Sequence, residues 1–497
     1  MNGRGFPGAS WLRLDALALF TILVVAAIVR FVDLDLMEFK ADEAEATRLA
    51  LHVLGLSEPG VGRFFPTAGL TSSVGTLNPP LFIYLIALPL AIVRSPLAAA
   101  GFVAALNVVA VWLTYVVGKR YYSNFVGIAS AALFTLAPWG IIFSRKIWAQ
   151  NMLPIFAALF LLQLHAFLVE KRPRALCWLI ILVAAAAQLH FSAWILAVVL
   201  LVAIVLGRRT IAWRWAALGL GGALALYAPF LAYHARAVYD SLGSSYGAPD
   251  AIDRFRTSVH FMFSISGGDY LSFLLGSQSG LARPVSLIVG PAAFIGLLAA
   301  CRQWRSSPVG RLRVLLVVWY LLPLAALTVL PVPIHIHYFI ILLPLPFLGM
   351  ASLIEWLTKR QAAIGWLALT ACLCSFAVLD GQIYRTVAHD DGAPGDYGVA
   401  YKYKADATAM LERESQGRKL ELGEDVDFAP GSYSQEYHLL DWNSDPDYVR
   451  LTPAVTGYVI INKLVGTPPL LRADPKRRSY RTQRFGPLRI VAIPLGK

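Results

Sequence analysis

Charge is scarce in this chain of 497 residues. Asp, Glu, Lys and Arg make up only 15% of it, hydrophobic residues make up 57%, and the mean hydropathy is +0.61. No soluble globular chain of this size needs so much apolar residue, which leaves a polytopic membrane protein. Cysteine is equally scarce, with four in all. Cys177, Cys372 and Cys374 lie within apolar runs and Cys301 at the end of one, so there is no disulfide framework and no CxxC metal site to read. Internal repeats, heptad runs and low-complexity tracts are also lacking. A net charge of +13 would suit a nucleic-acid partner. However, the Lys and Arg residues fall in short clusters between apolar runs, which is how orientation signals in membrane proteins are arranged, and this argues against nucleic acid.

Apolar runs of spanning length occur at roughly 14–32, 98–117, 124–143, 148–168, 175–190, 191–206, 216–232, 285–300, 314–330, 338–356 and 363–379. The first has no small-residue cleavage site and reads as a retained helix rather than a signal peptide. The stretch 175–206 is too long for one span, and the polar break Gln188-Leu189-His190 divides it into two short helices. Basic clusters at Arg4 and Arg13, Lys119 and Arg120, Lys171 to Arg174, Arg208 to Arg214, Arg302 to Arg313, and Lys359 and Arg360 then all face the cytoplasm. That agreement requires Pro79 to Val93 to stay on one side. This run is short and proline-containing, and it reads as interfacial or re-entrant. The expectation is eleven spans with the amino terminus inside. The loops 33–97 and 233–284, and everything beyond 380, are then extracytoplasmic.

Past Asp380 the composition turns polar. A helix-like stretch at roughly 405–415 and strand-like runs at 419–422, 457–462 and 488–493 predict a small extracytoplasmic α/β domain over 381–497. The fold class expected is therefore an all-α polytopic membrane module, residues 1–380, followed by that domain. The paired carboxylates Asp42 and Glu43 follow the first span directly. A carboxylate at a membrane surface is placed to take a proton from a hydroxyl of a substrate delivered by lipid.

These features resemble the GT-C glycosyltransferases that use polyprenyl-phosphate sugars. The branch resembled holds the protein O-mannosyltransferases (glycosyltransferase family 39-like), the aminoarabinose transferases of lipid A and the RgtA-like enzymes. The carriers are Asp42-Glu43 after the first span, Asn78-Pro79-Pro80-Leu81, Phe143-Ser144-Arg145 after the third, His190, and His337-Tyr338 before a proline-containing apolar run. The chain departs from the pattern at Asn78, where relatives often carry His, at Ala98-Ala99-Ala100-Gly101, where many carry Arg, and at His337, where relatives tend to carry Arg. The loss of two cationic positions puts the usual phosphate contacts in doubt.

The resemblance implies an inner (plasma) membrane enzyme with no cofactor. Its partners would be a polyprenyl-phosphate sugar donor, membrane lipid, and an envelope glycan, lipid or protein as acceptor. An acceptor hydroxyl attacking an anomeric carbon needs a base, for which Asp42 is the choice, with Glu43 holding the acceptor or orienting Asp42. A departing phosphate needs fixed positive charge, and Arg145 and Lys146 break the positive-inside pattern on the outer face. Their alternative use is snorkelling to lipid phosphates. Lys40, His190, His337 and Tyr338 are further candidate contacts. His335 and His337 alone are too few ligands to specify a metal, so none is assigned. A transporter or flippase, a polysaccharide polymerase or ligase, and a glycan-binding protein are the competing classes. A transporter would carry charged or Gly/Pro-broken mid-depth residues in inverted repeats. A polymerase or ligase would place its key loop late in the chain.

Overall fold

The computed structural model describes residues 9–56, 62–72, 75–242, 249–276, 280–304, 307–415, 419–422, 426–428, 448–452, 456–462 and 481–494. Helix α1, Ala9–Phe31, is followed by the short α2, Ala41–Leu54, and α3, Leu81–Ile92. Then come α4 Pro96–Tyr121, α5 Asn124–Thr135, α6 Pro138–Ser144, α7 Leu153–Leu168, α8 Ala175–Leu189 and α9 Ile195–Leu206. The bundle continues with α10 Trp213–Leu242, α11 Ala251–Gly267, α12 Leu271–Leu275, α13 Ala282–Ala300, α14 Pro308–Val329, α15 Leu345–Arg360 and α16 Ala362–Asp390.

Among the described residues, seven helices are long and apolar enough to cross a membrane. The number is nine if the bent pairs α5–α6 and Ile336–Leu342 with α15 each count as one span. The shorter apolar helices Ala175–Leu189 and Phe191–Leu206 occupy the stretch divided at His190, so the eleven expected stretches are each occupied by helix. The protein is a multi-pass membrane protein.

Local sequence sets the helix ends. Ser95 accepts a hydrogen bond from the Leu97 amide ahead of Pro96, and Ser123 caps α5 through the Val126 amide at 3.1 Å. Glycines let helices approach closely where apolar lipid offers no hydrophobic drive for association. A side chain at Gly296 of α13 would meet the Gly349 carbonyl of α15, and one at Gly118 of α4 would meet Gly127 of α5.

The two ends of the bundle differ. At one end, Arg120 pairs with Glu170 at 3.7 Å, Arg313 donates two bonds to the Tyr121 carbonyl at 2.9 and 2.7 Å, and Ser123 donates to Glu355 at 2.6 Å. Gly207 abuts Phe167 at the same end, so the basic clusters after α4, α7 and α9, before α14 and at the end of α15 share one side. At the other end, Gly101 near the start of α4 lies against Phe31 and Leu34. The chain leaves α1 and enters α4 at the same level, so α3 between them does not cross the bundle. Pro80 opens α3 and Pro89 interrupts it, while Leu88, Ile92 and Val93 are exposed. That pattern is interfacial.

Beyond α16 a small hairpin, β1 Gly392–Ala393 with β2 Gly398–Val399, leads into α17, Tyr401–Ser415. The strands β3 Lys419–Leu422, β4 Val426–Phe428, β5 Tyr448–Thr452, β6 Thr456–Asn462, β7 Arg481–Phe485 and β8 Leu488–Pro494 form one antiparallel sheet, in the order β4-β3-β5-β6-β8-β7. The three strand-like runs expected from sequence are β3, β6 and β8. Much of the rest of the 381–497 domain expectation lies outside the described residues.

In a cysteine-free background, single cysteines at Ser72 and Arg413 are expected to react with an impermeant reagent from one side of the membrane, and a cysteine at Lys359 only from the other. Labelling of Ser72 and Lys359 from the same side would overturn this topology.

Candidate active site

The chain between α1 and α2 runs Val32 to Lys40. Glu38, well buried, lies at its centre. Its Oε1 receives the Lys146 ammonium at 2.7 Å and the Lys40 ammonium at 2.6 Å. Lys146 is itself buried, 3.3 Å from the Glu43 carboxylate and 3.3 Å from the centre of the Trp148 ring. The Glu43 contact lacks hydrogen-bond geometry, because Glu43 Oε1 has no hydrogen-bond partner. Its other oxygen accepts the Lys40 backbone N–H at 2.7 Å, closing the first turn of α2 in the manner of a capping box.

Two cavities border this part of the structure. The first, about 320 Å³, is walled mainly by aliphatic residues of α1, α6 and α16, among them Ile28, Val29, Ile142 and Val387. Glu38, Arg145 and Lys146 also line it. The second, about 210 Å³, is more polar, and Asp42, Asn78, Trp148, Gln150, His190 and His337 line it together with Gly69 to Ser72. Trp148 thus presents its ring to Lys146 and also borders the polar cavity.

The electrostatics differ among the three carboxyls. Burial alone would raise Glu38, but the Lys146 and Lys40 ammonium groups outweigh it and hold that carboxyl below its ordinary value. Glu43 is pushed up to about 7, chiefly by burial, with Glu38 and Asp42 adding to the rise against the pull of Lys146. Asp42 is solvent-accessible through the cavity yet crowded by protein atoms. That crowding raises its carboxyl in spite of Lys146 and Lys40.

Of the residues singled out from sequence, Asp42, His190 and His337 converge on the polar cavity. The His190 and His337 rings lie 5.5 Å apart, and Tyr338, fully buried, packs edge-on to His337 at 4.7 Å behind it. Lys40 is held between Glu38 and Asp396, the latter at 3.1 Å. Arg145 donates to the carbonyls of Val29 at 3.2 Å, Val32 at 2.7 Å and Asp33 at 2.5 Å, satisfying the otherwise open C-terminal end of α1. No group of three or more His, Cys, Asp or Glu side chains suited to a metal occurs among the described residues. Sequence reasoning passed over Glu38 and Trp148. Glu38 opens the acidic stretch already noted, whereas nothing in one dimension pairs it with Lys146, more than a hundred residues away.

Residues 77–233, from just before α3 to within α10, match the family model described as dolichyl-phosphate-mannose-protein mannosyltransferase. The structure is similar to that of ArnT from Cupriavidus metallidurans bound to undecaprenyl phosphate, with a TM-score of 0.54 at 13% identity over 98% of both chains. The fold is GT-C. The apo state of the same ArnT gives a TM-score of 0.54 at 13% identity, covering 97% of this chain and 98% of that one. No curated protein sequence matches the chain. Within this GT-C chain the acidic cluster sits where the first inter-helix loop meets the bundle, at the end carrying the C-terminal domain.

Glu43 gives a signed pH test. The folded protein keeps its proton up to about 7 and the unfolded chain releases it near the ordinary carboxylate value. This contribution to stability is therefore full in acid and is lost as pH rises through about 7. The unfolding temperature in detergent should fall between pH 5 and pH 8.5 in the parent, and Glu43→Gln should flatten that dependence. An unchanged slope in Glu43→Gln would remove Glu43 as its source.

Proposed function

We propose that this protein is an integral-membrane glycosyltransferase that moves a sugar from a polyprenyl-phosphate donor to an acceptor hydroxyl, with inversion and with Asp42 as base. The observation carrying this reading is the buried Lys146, which lines an apolar cavity against α1 and α16 and lies over the ring of Trp148, itself in the wall of a more polar cavity with Asp42. The apolar cavity suits a polyprenyl chain and the polar one a sugar. Support also comes from the mannosyltransferase family match and the GT-C fold, whose relative ArnT was solved with undecaprenyl phosphate.

The chemistry follows from the placement. The acceptor hydroxyl gives its proton to the Asp42 carboxylate as its oxygen bonds to the anomeric carbon. The bond from that carbon to the phosphate oxygen breaks, and the electron pair leaves with the polyprenyl phosphate. One displacement inverts the centre and needs no second nucleophile. Below about pH 7, with Glu43 protonated, the Lys40 and Lys146 ammonium groups face a single buried carboxylate in Glu38. Lys146, in the wall of the apolar cavity, supplies positive charge to the phosphate as it departs. Arg145, at the edge of the apolar cavity, adds to that field. Glu43 orients Asp42 by fixing the first turn of α2. His190, His337 and Asn78 contact the sugar. The basic clusters at the opposite end support a site on the extracytoplasmic side of the plasma (inner) membrane, with an envelope glycan, lipid or protein as the acceptor.

Asp42→Asn keeps the shape and loses the proton acceptor, so transfer should fall by at least about 10²-fold. Product anomeric configuration, read by NMR, should be opposite to the donor's. A fully active Asp42→Asn enzyme or a retained configuration would sink this mechanism.

A further inference from the structure

The acidic loop is held from outside as well as by its own short turn. Among the described residues, the backbone from Leu36 to Phe39 is gripped from outside the membrane bundle by the segment linking α16 to α17. The Tyr397 hydroxyl donates to the Leu36 carbonyl at 2.5 Å. The Tyr401 amide donates to the Met37 carbonyl at 2.9 Å, and Glu38 forms an antiparallel bridge with Ala400. The Lys404 ammonium, fully buried, donates to the Phe39 carbonyl at 2.6 Å. Asp396 reaches Lys40, and the Phe39 and Tyr401 rings pack 5.2 Å apart.

The gripping segment is itself anchored. The amides of Asp396 and Tyr397 donate to the Phe273 and Leu274 carbonyls of α12, at 3.1 and 2.9 Å. Gly395 approaches α12 so closely that a side chain there would strike the Gly276 amide and the Phe273 carbonyl. The loop is thus held between the membrane bundle, through Lys146, and the C-terminal segment, through Lys404.

We propose that residues 391–404 form a positioning clamp for the Asp42 base, with Lys404 as its key positioning residue. This rests on the reading of Asp42 as the base. Phe39 and Lys40 lead directly into the first turn of α2, so the direction of the Phe39–Lys40 peptide sets where Asp42 points. Lys404 touches no substrate. The buried Lys404 ammonium gives the Phe39 carbonyl a directional, charge-assisted hydrogen bond, and a carbonyl left without it in that setting would be free to turn. Misplacing a reacting group by about 1 Å costs on the order of 10²-fold in rate. Residues 391–404 therefore position the catalytic loop without taking part in the chemistry.

The test uses the full-length protein in lipid nanodiscs. Lys404→Met keeps the stem and removes the ammonium, and Lys404→Arg restores a donor. Amide exchange across 37–45 should accelerate in Lys404→Met. Its kcat should fall about tenfold or more with the donor KM within about twofold of the parent, and Lys404→Arg should recover part of the loss. Exchange that does not change overturns the clamp, as does faster exchange with kcat unaltered or a raised KM at parental kcat. Should Lys404→Met fail to fold, Tyr397→Phe carries the same measurements with the same deciding outcomes. A parent that transfers no sugar from any polyprenyl-phosphate donor would fault the proposed function instead, and the exchange arm still decides the clamp.

Discussion

The Lys146 ammonium has almost no access to water, and a lone buried ammonium costs several kcal/mol. It must find a carboxylate, and Glu38 accepts its hydrogen bond at 2.7 Å. Much of the site follows from that requirement. Glu38 draws the chain after α1 down against the end of α6, and the second ammonium, Lys40, follows it. Glu43 then closes the turn beginning at Lys40, leaving Asp42 directed into the polar cavity. Replacing Lys146 removes a cation and also leaves two buried carboxyls without their shared partner, so loss of fold and loss of chemistry are coupled there.

The membrane module was legible because span length and charge asymmetry are one-dimensional quantities. The eleven apolar stretches, the division at His190 and the non-crossing status of Pro79 to Val93 could all be read without knowing what touches what. The strands β3, β6 and β8 were legible for the same reason, as runs of β-formers set off by turn residues. The site was legible only in part. Asp42, His190 and His337 stood out because polar groups in a greasy chain are conspicuous, and the fold does bring those three together. The state of Lys146 was illegible. From sequence it is a free cation on the outer face, whereas in the fold it is half of a buried pair. Arg145 likewise reads as an anion ligand but spends three bonds on helix-end carbonyls. Lys404 and Tyr397 gave no signal at all, since the loop carbonyls they bind are over three hundred residues away.

The division of labour between the cavities has a physical basis in their walls. The aliphatic cavity gains from excluding water around a hydrocarbon chain, which needs no directional contacts. The polar cavity needs fixed donors and acceptors, and rigid aromatic neighbours supply the framework. The His190, His337 and Tyr338 rings pack on one another, and Trp148 packs against His337. Such a wall loses little side-chain entropy when a ligand arrives, because little freedom remains to be lost.

Helix α3 bears on how the chain is threaded during synthesis. A segment that returns to the side it came from leaves the inside–outside parity of every later helix unchanged. A segment of similar greasiness that crossed would invert all of them. The twelve apolar residues of α3 lie close to that divide. Pro80 at its start and Pro89 within it interrupt the amide donors and curb the helix's extension toward spanning length. The two prolines thus act as guards of orientation for more than three hundred residues downstream.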